Sequence, residues 1–382
     1  MALIVPAYLP ESYGGAVQQT RKLAVALTDR RLNVTIIAPR TSSSTPRTEL
    51  KDGLDIRRIR VRSLPNLGGR HFLSFVWWSI RICWWLWRNR NSYDIIHIVH
   101  GRLHAVGAVL GARLTGKPVL IKFGRGGEHF DLDLVHKKRL FGRQFASIIK
   151  RHTTGFIANS AQMIADLERH NIEEARVHRI PNGVVIPEIS GMHGNPAKSE
   201  TVFLYMGRFD TEKALDFMLR SFKTAAASAP ARLMLVGDGP LKPELEQLAQ
   251  DIGISSRVTF TGVLEDVTPA LKSADFYLST SVSEGMSNSL LEAMSYGVVP
   301  VVSRVSGVDD MVSDGVSGFV FEPGNEEGCG NAIAKALTLP PPAHEEMSQA
   351  ARQTLAARFS MESVAERHIE LYQSLCRMRN RA

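Results

Sequence analysis

The feature that most limits the fold of this 382-residue chain is an alternation, run through twice, of short β-rich apolar segments and stretches with helical spacing. Such an order builds parallel sheets from βαβ units. In the first half the strand candidates are ALIVP (2–6), NVTIIAP (33–39), LDIRRIRV (54–61), DIIHIV (94–99), PVLIKF (118–123), TGFIAN (154–159) and RVHRIP (176–181). Between them, residues 15–30 carry Ala16, Leu23, Ala24 and Leu27 at helical spacing. The second half offers TVFLYMG (201–207), ARLMLVG (231–237), RVTFTG (257–262), ADFYLST (274–280), VVPVVS (298–303) and GFVFEP (318–323). Helices fit at 213–228, 240–252, 288–296 and 326–338, and a helical pattern over 343–375 ends the chain. Residues 188–200, EISGMHGNPAKSE, are polar and contain Gly and Pro, and read as a linker. The expectation is an α/β chain with domains at 1–187 and 201–357. Both are doubly wound and Rossmann-like, and ligands sit beyond the carboxyl ends of their strands, facing a cleft between domains.

Length supports two cores, since a single core seldom grows past about 250–300 residues. Three widely separated cysteines, Cys83, Cys329 and Cys376, argue against a disulfide framework and fit a reducing cytosol. The opening MALIVPAYLPESYGG lacks a basic region before its apolar run, so no signal peptide is expected. No run is long enough for a transmembrane helix. The net charge of +8 is uneven: residues 1–180 hold 29 Lys and Arg against 13 Asp and Glu, the remainder 17 against 25. A basic half suggests an anionic partner, either nucleic acid or a membrane surface. No nucleic-acid-binding motif accompanies the charge, so nucleic acid is not expected.

Three segments carry candidate chemistry. In YMGRFDTEKALD (205–216) a strand ends at Gly207, and Arg208 and Lys213 bracket a helix start. Two cations beside free backbone N–H groups suit a diphosphate without a metal. In LVGDGPLKPELEQLA (235–249) a strand runs into a glycine-rich turn, which allows backbone to approach a phosphate. In STSVSEGMSNSLLEAMSYGVVPVVS (279–303), Glu284 precedes a loop and Glu292 lies about a turn into a helix. The helix N-terminus suits a phosphate, and the two carboxylates suit sugar hydroxyls. Alone, the first segment reads better as ordinary loop charges and the second as a tight turn with Pro at the helix start; the third is the sharpest signal, with a helix cap and an exposed glutamate as its competing reading.

Taken in order, these segments resemble the donor half of the family 4 retaining glycosyltransferases, which have the two-Rossmann GT-B fold. YGGAVQQTRKLAVAL (13–27), YDIIHIVHG (93–101), IPNGVVIP (180–187) and RFSMESVAERHIELYQSL (358–375) are similar to further segments of that family. The resemblance implies that the last helix, about 358–377, returns to the N-terminal domain. It also implies catalytic roles for Glu284, Arg208 and Lys213. Gly14, Gly15, Gly207, Gly285, Met286, Ser287, Asn288 and Ser289 would line the donor phosphates and sugar. Glu292 would hold the ribose, and the backbone at Val263 and Leu264 the base. The donor would be a UDP- or GDP-sugar, the acceptor a saccharide or polyprenyl-lipid-linked sugar, and no metal or other cofactor would be required. A nucleotide-sugar epimerase of the same architecture is the alternative. One departure stands out: where the family often carries a histidine, this chain has Gly124, with Lys122, Arg125, Glu128 and His129 nearby.

All five tryptophans fall in FLSFVWWSIRICWWLWRNRN (72–91). On a helical wheel Ser74, Arg81 and Arg88 form a polar stripe flanked by Trp77 and Trp84 on one side and Trp78 and Trp85 on the other. The expectation is that the four indoles lie at the surface and, with Arg81 and Arg88, contact an anionic membrane at the cytoplasmic face of the inner membrane. An aromatic core helix is the competing reading.

Overall fold

The computed structural model describes residues 1–12, 14–65, 71–124, 126–127, 130–188, 200–227 and 229–381. Two compact units form, one from Met1–Gly183 with Met361–Ala382, the other from Val184–Ser360. The first unit holds strands β1 (Ala2–Ile4), β2 (Thr35–Arg40), β3 (Thr48–Lys51), β4 (Leu54–Arg60), β5 (Ile96–Val99), β6 (Val119–Lys122), β7 (Gly155–Ala158) and β8 (Val177–Arg179), ordered β3-β4-β2-β1-β5-β6-β7-β8. The second holds β9 (Thr201–Met206), β10 (Ala231–Val236), β11 (Val258–Gly262), β12 (Phe276–Ser279), β13 (Val299–Ser303) and β14 (Phe319–Phe321), ordered β11-β10-β9-β12-β13-β14. Helices α1 (Gly15–Asp29), α2 (Phe72–Arg88), α3 (Leu103–Thr115), α4 (Asp131–His136), α5 (Gly142–His152) and α6 (Ala161–Arg169) belong to the first unit. The second carries α7 (Leu215–Ala225), α8 (Lys242–Asp251), α9 (Thr268–Ser273), α10 (Asn288–Ser295), α11 (Val308–Met311), α12 (Glu326–Leu337) and α13 (Pro341–Arg358). Helix α14 (Met361–Arg381) returns to the first unit.

Each sheet grows outward from its first strand and then reverses, between β1 and β5 and between β9 and β12. This is the doubly wound order, and the reversal is its ligand-binding switch point. Strands near the reversal, such as β1, β12 and β13, are buried throughout, as expected where helices cover both faces.

Three boundaries differ from the sequence reading. Strand β3 was not foreseen. It pairs antiparallel with β4 through Asp52 and Gly53, both in the left-handed region at φ 53° and 73°. Two consecutive positive-φ residues make the tight hairpin for which Asp-Gly is the usual signal. Residues Val184–Pro187, read as the end of the first domain, belong to the second: Val184 N donates to Phe359 O at 2.8 Å and Arg352 Nη2 to Pro187 O at 3.0 Å. The helical pattern over 343–375 is two helices. Phe359 is buried in the second unit's core, whereas Met361, Val364, Ala365, Leu371, Tyr372 and Leu375 join the core of the first, so the chain must break between them. The proposed linker residues 189–199 lie outside the described residues.

The tryptophan helix packs differently from the wheel's expectation. Trp78 is fully buried, and its Nε1 donates to His104 O at 2.9 Å. Trp85 is half-buried and stacks on Tyr93 with centroids 6.2 Å apart, and Ser74 is buried rather than part of an open stripe. The cause is α3. Its Gly107 and Gly111 let α2 approach so closely that a Cβ on Gly107 would sit 2.4 Å from Ser79 Cα, and one on Gly111 2.7 Å from Leu86 Cδ1. The face left open is Leu73, Trp77, Ile80, Arg81, Trp84, Trp87 and Arg88. Gly107→Ala is therefore expected to destabilise the fold by about 1–3 kcal/mol, read as a lower urea midpoint, because backbone rather than a flexible side chain must yield. Among the described residues no helix is long and apolar enough to cross a membrane.

Three histidines sit inside the first unit. His97 on β5 shares a 2.6 Å hydrogen bond with the Tyr372 hydroxyl, His104 on α3 bonds Val99 O at 2.9 Å, and His368 on α14 bonds Val364 O at 2.7 Å. Burial pushes His97 and His104 down to about 3 and His368 well below its ordinary value. Unfolded histidine takes a proton below about pH 6.5, whereas these stay neutral in the fold. Their contribution is thus complete above that pH and is lost as the pH falls from about 6.5 towards 3. Each site costs up to about 1.4 kcal/mol per pH unit in that window. Denaturant midpoints should be flat from pH 7 to 8 and fall steeply from pH 6 to 4.5, with a shallower fall in His368→Leu.

Candidate functional site

Parallel pairing of β9 to β13 places the segments that follow them along one edge of the second sheet. The predicted donor residues other than Gly14 and Gly15 lie in those segments. At the switch point the loop after β9 meets the loop after β12. Lys213 Nζ is ion-paired with Glu284 Oε1, which also accepts from Ser281 Oγ at 3.2 Å. Thr280 Oγ1 donates to Lys213 O and Ala214 O, both at 3.0 Å, and Val282 N to Glu212 O at 2.9 Å. Two loops that are far apart in sequence are therefore stitched into one rigid wall.

Arg208 stands beside this wall. Its side chain is two-thirds exposed, and its nearest carboxylate contact is Asp210 Oδ2 at 3.7 Å. The guanidinium is loosely held and open to an anion. Its backbone is fixed from below by Tyr205, whose hydroxyl donates to Arg208 O at 3.1 Å. The Gly237-Asp238-Gly239 turn has a packing reason for its glycines. A Cβ on Gly237 would lie 1.9 Å from Gly207 O, and one on Gly239 2.2 Å from Phe209 O. This turn buttresses the Arg208 loop, with Phe209 N donating to Asp238 O at 2.9 Å. Direct phosphate contact is not needed to explain it.

After β12, Gly285 and Met286 are buried, so Met286 offers only its backbone at the edge. Ser287 caps α10, its hydroxyl accepting from Leu290 N at 3.3 Å. Asn288 and Ser289 open the helix, and the buried Tyr277 hydroxyl donates to Met206 O at 3.5 Å. The start of α10 follows β12 at the same edge of the sheet as the loop that carries Arg208. Glu292 is half-buried on α10, one turn in. Val263, largely exposed, and Leu264, half-buried, follow β11. The structure thus assembles Arg208, Lys213, Glu284 and the start of α10 at the switch point, with Val263 and Leu264 further along the edge.

In the first unit the corresponding edge holds Gly14, Gly15, Lys122 and Gly124. Gly14 is the N-cap of α1, and a Cβ there would meet nothing within 4 Å. Burial lowers Lys122, at the end of β6, to about 8. Arg125, Glu128 and His129 lie outside the described residues. Asp131 is fully buried and accepts from Arg102 Nε at 2.6 Å, Gly101 N at 3.2 Å, Gly124 N at 3.4 Å and His100 Nδ1 at 3.3 Å. Burial alone would raise its pKa, but His100 and Arg102 together hold the carboxyl well below the usual range. The space that a side chain at position 124 would need is occupied: a Cβ there would fall 1.7 Å from His100 Cε1.

Paired Rossmann-type units, the second with a cation-lined switch point and an open helix N-terminus, define a GT-B architecture. Residues 14–183 match the glycosyl transferase 4-like domain, and residues 200–338 match the glycosyl transferases, group 1. The chain belongs to the group 1 glycosyl transferases and is an enzyme of that kind. Both matched descriptions are of glycosyl transferases, and neither supports the epimerase alternative. Among curated relatives, the N-acetyl-alpha-D-glucosaminyl L-malate synthase of Bacillus anthracis is 24% identical over 298 residues, 76% of this chain and 77% of that one. Among solved structures, the lipopolysaccharide outer core galactosyltransferase WaaB, in its apo form, superposes with a TM-score of 0.74 at 21% identity, over 98% of this chain and 99% of that one. Anabaena HepE in complex with UDP and glucose gives 0.76 at 17% identity, over the same shares. These structural likenesses bear on the fold alone.

Proposed function

We propose that this protein is a retaining transferase that moves a sugar from a UDP- or GDP-sugar to a saccharide or polyprenyl-lipid-linked acceptor in bacterial cell-surface polysaccharide or glycolipid synthesis. The observation that carries the reading is the Lys213–Glu284 pair at the β9/β12 switch point, flanked by the open Arg208 and the α10 N-terminus. Arg208, Lys213 and the α10 amides neutralise the diphosphate as the C1–O bond breaks. Glu284 accepts hydrogen bonds from the sugar, and Glu292 from the ribose diol. The acceptor oxygen attacks C1 on the face the phosphate leaves, and its proton passes to the departing phosphate oxygen, so no protein nucleophile is required. Gly14, whose missing side chain nothing in the protein demands, leaves backbone free to approach the donor phosphates. The capture of UDP and glucose by the Anabaena neighbour favours uridine.

Thermal shift against UDP-glucose, UDP-galactose, UDP-N-acetylglucosamine and GDP-mannose tests the donor. A ligand at 100 times its Kd adds about 2.7 kcal/mol of stability. Glu292→Ala should cost about 1.5–3 kcal/mol in nucleotide-sugar affinity, since it removes charge-assisted hydrogen bonds. Unaltered affinity would remove the ribose role. Turnover should persist in a chelator, because the side-chain cations supply the charge. Activity lost to EDTA and restored by Mg²⁺ would replace this mechanism.

The second part of the reading is peripheral docking on an anionic membrane at its cytoplasmic face. Leu73, Trp77, Ile80, Trp84 and Trp87 form an exposed apolar stripe on α2. Arg81 lies over Trp77 and Trp84 at 5.5 and 5.6 Å, Arg88 over Trp84 at 5.6 Å, and Arg90 over Trp87 at 5.3 Å. Indole and guanidinium side by side suit a headgroup layer, which takes the rings while the cations pair with lipid phosphate. Leu140 and Phe141, exposed between Lys138, Arg139 and Arg143, extend the footprint through edge-on and tilted ring contacts with Phe145, Phe75 and Phe72.

A further inference from the structure

The edge of the first sheet contains a built dyad that the donor chemistry above does not use. His100 directly follows β5. Its backbone is left-handed at φ 66°, a conformation a non-glycine residue holds only when its surroundings impose it. Those surroundings are specific. His100 N donates to Lys122 O at 2.7 Å. Gly101 must be glycine because a Cβ would lie 2.2 Å from Phe123 Cε1, and Gly124 because a Cβ would lie inside the His100 ring. Gly124 thus clears the space in which the imidazole sits, and Gly101 lets Phe123 pack against the turn that carries it. Asp131 then fixes it, with His100 Nδ1 3.3 Å from Asp131 Oδ2. The carboxylate also takes Arg102 and two backbone amides, so it is ionised and its partner nitrogen on the imidazole carries the proton. In the neutral ring Nε2 is left as an acceptor, and no described residue hydrogen-bonds it. The His100 side chain is about one-eighth exposed at the carboxyl edge of β5 and β6, beside the β1/β5 switch point. Ligands of such sheets lie at that position.

We propose that His100 is a catalytic residue whose Nε2 accepts a hydrogen bond from a pyranose hydroxyl of the reacting sugars, with Asp131 as its positioning residue. The imidazole therefore occupies the place that a side chain at position 124 would take, delivered from β5 instead of β6. The inference rests on the nucleotide-sugar reading.

The test uses the full chain with UDP-glucose, UDP-galactose, UDP-N-acetylglucosamine and GDP-mannose as probes, scored by calorimetric binding and by release of nucleoside diphosphate. His100→Ala is expected to lower turnover of the probe that the parent uses by about 10–100-fold, the range of a lost hydrogen bond that leaves its partner unsatisfied. Asp131→Asn keeps the shape but frees the ring, and should cost about 10–100-fold. The double variant H100A/G124H supplies an imidazole to the same space from β6 and should recover at least about tenfold over H100A. A contact to the donor sugar weakens nucleotide-sugar binding in H100A while free UDP or GDP binds as before. A contact to the acceptor sugar leaves both affinities unchanged and lowers turnover alone. Turnover in H100A within about threefold of the parent overturns the proposal. So does a loss that follows a lowered melting temperature and is not recovered by H100A/G124H, which marks a structural role. A parent that binds none of the four probes overturns the donor reading first and this inference with it.

Discussion

Lys213→Ala should lower kcat by about 10²–10³ while the protein still folds and the free nucleotide still binds. Removing one fixed charge from the place where negative charge develops costs roughly 2.7–4 kcal/mol of barrier. The structure sharpens the expectation. Lys213 sits between the open edge and Glu284, with its backbone carbonyl held by Thr280, so the ammonium is placed rather than mobile. Its loss also strips Glu284 of its counter-charge and leaves Ser281 as the carboxylate's remaining partner. Glu284→Gln in the same background should then add less than it does alone, because residues that act as a unit are not additive. Nucleotide release under saturating donor is the measurement. A Lys213→Ala enzyme within tenfold of the parent would mean that Arg208 and the α10 amides suffice.

The other large effect separates two kinds of tryptophan on one helix. Trp78→Ala should destabilise the protein by about 3–5 kcal/mol, since it empties a fully buried site and removes the Trp78 Nε1 hydrogen bond to His104 O. The triple change Trp77→Ser, Trp84→Ser and Trp87→Ser removes half-exposed rings and should leave the urea midpoint nearly unchanged. The same triple variant should fail to float with anionic liposomes at low salt, where the parent floats. Neutral liposomes should recover little of either. Each arginine near the surface is worth about 1 kcal/mol, screened within a Debye length, so raising salt should weaken the parent without abolishing the contribution of its rings. A parent that ignores anionic vesicles, or a triple variant that binds as well as the parent, removes the membrane from the reading.

Most of the fold was legible because its signals are local. Runs such as ALIVP and PVLI are apolar throughout because both faces of their strands are covered, and periodicity shows this directly. The missed strand β3 is polar and edge-exposed, so apolar patterning is silent there, although Asp52-Gly53 announced the turn. The wheel for α2 located the polar stripe but not the neighbour that would cover the Trp78 side. The close approach of α3 depends on Gly107 and Gly111, whose Gly-x-x-x-Gly spacing is legible in the sequence but does not say which helix it admits. The donor segments were found because each is contiguous. The His100–Asp131 pair spans 31 residues and three loops, and no local rule joins a histidine after one strand to the missing side chain after the next.

The return of α14 to the first unit has a consequence for biosynthesis. Chains are made from the amino end, and domains commonly fold in that order as they emerge. Here Val184–Ser360 is continuous and can close its core once it has left the ribosome. The first unit cannot do so. Its hydrophobic cluster needs Met361, Val364, Ala365, Leu371, Tyr372 and Leu375, and buried His97 needs the Tyr372 hydroxyl. The amino-terminal half is therefore made first and completed last. Until Met361–Leu375 have been made, the cluster they share with β1, β2 and β4 lacks those side chains, so a truncation that removes them should destabilise the first unit and spare the second.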